Sequence, residues 1–115
     1  MEPISVFPAG SPEHAKLSDA ARRVAEASGL DCRVEDVYYD YGQNWRWTTL
    51  IGYPSGGSPG VQILNPKEQR DVLYGEEDAF HDAVSSAVKS LIDLYRGELA
   101  AKAAAAARRA ERMEK

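Results

Sequence analysis

The sequence is poor in the residues that build the common chemical sites. It holds one cysteine, Cys32, so neither an intrachain disulfide nor a thiolate metal cage can form, which suits a reducing compartment. It holds two histidines, His14 and His81. His81 near Asp78 or Asp82 offers the makings of a general-base pair. No Ser or Cys stands in a nucleophile setting beside it, so a surface histidine in an acidic turn is the preferred reading. No Walker loop, GxGxxG, HExxH or CxxC pair occurs, and Gly56-Gly57-Ser58-Pro59-Gly60 lacks the lysine and following helix start of a phosphate cradle. No window approaches the roughly 20 apolar residues that span a bilayer. The opening residues Met1 to Pro8 have neither the basic start nor the apolar run of a secretory signal. These absences disfavour catalysis and lead us to expect no cofactor, no metal, no membrane contact and a cytoplasmic location.

Basic residues are also outnumbered. Fourteen Lys and Arg stand against 18 Asp and Glu, a formal net charge of -4 in 115 residues, which argues against generic phosphate binding. The imbalance is local. From Asp31 to Asp82 there are ten acids and four bases, whereas Ala83 to Lys115 carries seven bases and four acids. An acidic body is therefore followed by a basic tail. The length and the 43% hydrophobic content allow one domain with one modest core.

What is present is mostly pattern. From Val34 to Tyr53, Val37, Tyr39 and Tyr41 and then Trp45, Trp47, Thr49, Ile51 and Tyr53 alternate with polar residues, the period of two that marks half-buried strands. With Gly42-Gln43-Asn44 as the loop, Tyr41 would face Trp45, Tyr39 would face Trp47, and Asp40 would meet Arg46 on the other face. Tyr39, Trp47 and Ile51 then read as core, and Tyr38 with Asp36, Asp40 and Arg46 as the partly exposed side.

Around this hairpin the chain reads in order. Residues 1–10 form an extended arm. Ser11-Pro12-Glu13 signals a helix start, Leu17, Ala20, Ala21, Val24 and Ala25 its apolar stripe, and Gly29 its end. Val61 and Ile63, with Leu64 at its end, supply a third strand after a flexible connection. Asn65-Pro66-Lys67-Glu68 carries a capping box for a short helix to Tyr74, with a strand through Val72 to Tyr74 as the competitor. From Glu76 a long helix follows, with Phe80, Val84, Ala87, Val88, Leu91, Ile92 and Tyr95 on its core face. Past Leu99 alanine takes over, with high helix propensity and little to bury. The expected fold is α+β: N-terminal helix, three-stranded antiparallel sheet, short helix and long C-terminal helix. Residues 11–99 form the domain and residues 100–115 an Ala/Arg-rich tail.

The residues singled out for binding are Asp36, Tyr38, Asp40, Tyr41, Arg46, Glu76, Glu77 and Asp78. Tyr and Arg are frequent anchors of interfaces, and spaced carboxylates can take phosphate positions in a basic groove. The plainer alternatives are cross-strand packing for the aromatics and helix-dipole or solvating roles for the acids. Homodimerisation through the alanine helix is a further expectation. The alternative partner is nucleic acid, bound by the basic tail through Arg108, Arg109 and Arg112 with the sheet aromatics.

The order helix, three strands, helix resembles a double-stranded-RNA-binding domain, whose last helix begins with basic residues where this chain has Glu76-Glu77-Asp78. The chain also resembles the small acidic phage-encoded anti-defence proteins of the anti-CRISPR type. Asn44-Trp45-Arg46-Trp47, Glu76-Glu77-Asp78 and the alanine-rich C-terminal helix ending Glu111-Arg112-Met113-Glu114-Lys115 carry that similarity, across most of the chain's architecture. The resemblance implies a non-enzymatic inhibitor that occludes a basic nucleic-acid-binding site on a host defence complex.

Overall fold

A computed structural model describes residues 6–39, 45–54 and 59–113. The elements follow in the order α1 (Pro12–Ser28), β1 (Asp31–Tyr39), β2 (Trp45–Tyr53), β3 (Val61–Gln62), α2 (Pro66–Tyr74) and α3 (Glu77–Met113). This is an α+β fold whose antiparallel sheet has the order β1-β2-β3.

The helix ends are set locally. The Ser11 side chain accepts from the His14 amide, and Gly29 closes α1 in the left-handed region at φ 71°, where a side chain would be strained. At α2 both halves of the capping box form: the Glu68 amide donates to Asn65 Oδ1 at 2.8 Å, and the Asn65 amide donates to Glu68 Oε1 at 3.0 Å. This decides for helix over strand at residues 66–74.

The hairpin differs from the expected register by two residues. Tyr39 pairs with Trp45, Tyr38 with Arg46 and Val37 with Trp47. Residues 40–44, between the two strand ends, lie outside the described residues. A shift of two preserves which residues share a face but replaces every cross-strand partner.

The covered face also differs. Cys32, Leu50 and, partly buried, Val34 join the core with Leu17, Ala20, Ala21 and Val24 of α1, Val72 and Leu73 of α2, and Ala83, Val84, Ala87 and Leu91 of α3. Gly52 pairs with Cys32, and a Cβ there would lie 2.6 Å from Leu91 Cδ1. The helices thus come too close to this face for a larger residue. By the strand alternation Trp47, Ile51 and Tyr53 belong to the opposite face. Trp47 is half-buried there, and its indole Nε1 is enclosed without a hydrogen-bond partner. Ile51 is buried outside the main core.

The third strand is shorter than expected, since Ile63 and Leu64 leave it and sink into the core. The edge of β2 is completed by a side chain. The Ile63 amide donates to Leu50 O at 3.3 Å, and two residues back along the same edge Gln69 Nε2 donates to Thr48 O at 2.7 Å. The Thr49 hydroxyl donates to Gln69 Oε1 at 2.5 Å, which satisfies both ends of a Gln that is 2% exposed.

α3 has 37 residues, about 55 Å at about 1.5 Å per residue. The molecule measures 60 × 37 × 22 Å, so this helix sets its long axis.

A candidate interaction surface at the hairpin end of the sheet

On the helix-covered face α1 and α3 reach the end of the sheet that holds Cys32 and Gly52. At the other end Asp36, Tyr38, Arg46 and Thr48 remain, and among the described residues the N-terminal arm crosses them. The backbone amide of Phe7 donates to Thr48 Oγ1 at 2.9 Å, and the same hydroxyl donates to Asp36 Oδ1 at 2.6 Å. Thr48 is 1% exposed and acts as a relay that fixes the carboxylate on one side and the arm on the other. Arg46 Nη2 lies 3.7 Å from Asp36 Oδ2, with both side chains about half exposed. A pair so placed is worth a few tenths of a kcal/mol, up to about 1. Its charges stay available to a partner at little cost.

These residues line a cleft of about 500 Å³ together with Val6, Phe7, Pro8, Ala9, His14, Val34 and Glu35. Tyr38 stands beside it by register, 58% exposed. The sequence-derived set is thereby brought together in part: Asp36, Tyr38 and Arg46 share this end of the sheet. Among the described residues Arg46 pairs with Asp36, and the expected pair of Arg46 with Asp40 falls outside them. Asp40 and Tyr41 lie outside the described residues.

Glu76, Glu77 and Asp78 are exposed at the start of α3. The Glu76 carbonyl accepts from the Phe80 amide at 2.9 Å, and Glu77 and Asp78 occupy the first turn, where the helix dipole favours anions. Glu77 lines a second cleft of about 290 Å³ with Lys16, Asp19, Arg23, Val72, Gly75, Phe80 and His81. Here Lys16 Nζ donates to Leu73 O at 2.6 Å, placing a cation on the C-terminal carbonyls of α2. The Arg23 guanidinium sits 5.4 Å from the Phe80 ring centre. A hydrogen bond from Arg22, supported by Arg23, holds the Asp19 carboxyl below its ordinary range against the opposing effect of burial. His81 Nε2 lies 3.6 Å from Glu77 Oε1, with its side chain half exposed. Its close acid is thus the residue one turn back, where Asp78 or Asp82 was expected.

Sequence reasoning missed three participants. His14 joins the arm cleft, with Nδ1 3.3 Å from the Ser18 hydroxyl. Thr48 and Glu35 bear hydroxyl and carboxylate on opposite faces, and only the true register identifies their partners. On the outer face the Tyr53 hydroxyl donates to Glu35 Oε2, and the Arg33 guanidinium lies 5.0 Å from the Tyr53 ring centre while pairing with Asp31 at 2.7 Å. The bond to Glu35, with burial behind it, raises the Tyr53 phenol above its ordinary value. Among the described residues no three His, Cys, Asp or Glu side chains converge to hold a metal ion, and no helix is long and apolar enough to cross a membrane. No protein-family profile, curated protein or solved structure matches the chain.

Proposed function

We propose that this protein is a non-enzymatic binding inhibitor that presents carboxylates and an aromatic anchor to a basic nucleic-acid-binding groove on a host defence complex, as an anti-CRISPR-type phage product would. The observation that carries the reading is the hairpin end. A 58% exposed Tyr38 stands next to Arg46 and Asp36, and a buried hydroxyl fixes the Asp36 carboxylate from below. Exposed Tyr and Arg beside fixed charge match the make-up of interface anchors, and Glu76, Glu77 and Asp78 add negative charge of the sign such a groove recognises. The test is affinity capture from bacterial lysate, followed by competition with nucleic acid. The expected result is one stoichiometric protein partner that nucleic acid displaces and that Asp36→Arg combined with Glu77→Lys and Asp78→Lys no longer captures. Undiminished capture by the reversed variant overturns the reading.

A second reading has its own observation, the exposed Arg108 and Arg109 on the projecting end of α3. It makes the protein a nucleic-acid binder, with affinity that falls steeply with salt and disappears when the chain is cut after Leu99.

A further inference from the structure

Among the described side chains of α3 the last fully buried one is Leu91, yet the helix continues to Met113. Among its described side chains from Arg96 onward all are exposed except the half-buried Ala105. Little tertiary packing supports this end, and packing of one face is where most helical stability in proteins comes from. At its root Leu94 is 40% exposed, an apolar side chain with much of its surface open. Ser86, Ser90, Asp93, Leu94, Gly97 and Ala101 recur at spacings of three and four and are all exposed, so one open face runs from the body out along the tail. A Cβ at Gly97 would meet nothing within 4 Å.

We propose that this face is the contact between two copies of the chain, with the C-terminal halves of α3 packed antiparallel about Ala101. Alanine contacts alone do not choose a partner; the order of charges does. In the antiparallel arrangement Asp93 of each copy comes level with Arg109 of the other, Leu94 with Arg108, and Gly97 with Ala105. Two Asp93–Arg109 pairs form symmetrically, and the aliphatic stem of Arg108 covers the exposed leucine. A parallel pair would instead stack Arg108 and Arg109 on their own counterparts. The end of the second copy's helix then lies over Ser90, whose short side chain leaves it room. The contact involves none of the residues assigned to the acidic surface, so either proposal can fail alone.

The test uses the full chain in sedimentation equilibrium over a range of concentrations. The expected result is a monomer–dimer equilibrium in the micromolar range. Asp93→Arg or Arg109→Asp weakens it by about tenfold or more, and the two together restore it. Both sites are exposed, and an unchanged helical circular dichroism signal shows that the variants fold. In a second experiment Ala101→Cys is treated with a short bis-maleimide. Burial pushes the native Cys32 thiol up to about 12, so the introduced thiol is the one that reacts, and a crosslinked dimer is expected. A monomer at all concentrations, a dimer indifferent to the single swaps, failure of the double swap to restore it, or Ala110→Cys crosslinking better than Ala101→Cys each overturns the proposal.

Discussion

At Gln69 one side chain replaces a missing length of strand. β3 pairs with β2 over two residues only, because Asn65-Pro66 must already begin α2, and the Thr48 carbonyl would otherwise be an unpaired acceptor beside the core. Gln69 fills that place and also accepts from Thr49, which is fully buried. Gln69→Ala removes two bonds and strands two polar groups, so it should destabilise the fold by about 2–4 kcal/mol in chemical denaturation. Nothing in the sequence marked this residue, since a glutamine in a polar helix reads as solvated and its partners lie 20 and 21 positions away. Cys32, by contrast, is of a residue type that commonly packs in cores as a small hydrophobe. Burial chiefly, with Asp31 adding, raises its thiol from the ordinary 9.0 to about 12. The unfolded chain therefore loses this proton first. The thiol's contribution is complete below pH 9.0 and declines as pH rises towards about 12, by up to about 1.4 kcal/mol per pH unit. Cys32→Ala should show a shallower alkaline fall in unfolding free energy than the parent. A remaining fall is expected from Tyr53, whose raised phenol acts with the same sign.

Elements whose signals lie within a few residues were readable, and those set by distant contacts were not. Ser11 and Gly29 at the ends of α1 and Asn65 with Glu68 at the start of α2 act through bonds spanning three or four residues, and each cap forms as its residue type requires. The hairpin register depends on the length of the connection, which composition does not fix, so the register expected from Gly42-Gln43-Asn44 is two residues from the one observed. The choice of face was in principle visible one turn of the pattern earlier. Arg33 and Glu35 share parity with Val37 and Trp47, whereas Cys32 and Val34 alternate with them, so the aromatic face begins with two charges and cannot be the core throughout. Weighing the aromatics over the start of β1 hid that. The helix-side face instead takes small residues, because α3 approaches it closely at Gly52. Gly52→Ala puts a methyl against Leu91 Cδ1 and Ile63 Cγ2, at 2.6 and 3.1 Å before relaxation. The expected cost is about 1–3 kcal/mol, read as a lowered thermal midpoint, because Leu91 is fully buried and has little room to yield.

At the scale of the whole molecule the chain is longer than its packing requires. A compact chain of this length has a radius of gyration of about 13 Å, and this one has 17.2 Å, the difference being the unsupported end of α3. Residues 100–115 hold five basic and two acidic residues, so removing them takes the net charge from -4 to -7. None of the described residues among them is fully buried. A chain ending at Leu99 should therefore unfold cooperatively with a midpoint within a few degrees of the parent, since no described side chain among those lost is fully buried. Self-association should disappear with it, because Ala105, Arg108 and Arg109 are gone. Capture of a basic partner should persist, since Asp36, Tyr38, Arg46 and Glu76 to Asp78 all remain. A salt-sensitive affinity for nucleic acid that vanishes with the same cut would place the working surface on the projecting helix and leave the acidic body as its support. Calorimetry, sedimentation and capture on this one variant thus separate the three roles, because each depends on a different stretch of the chain.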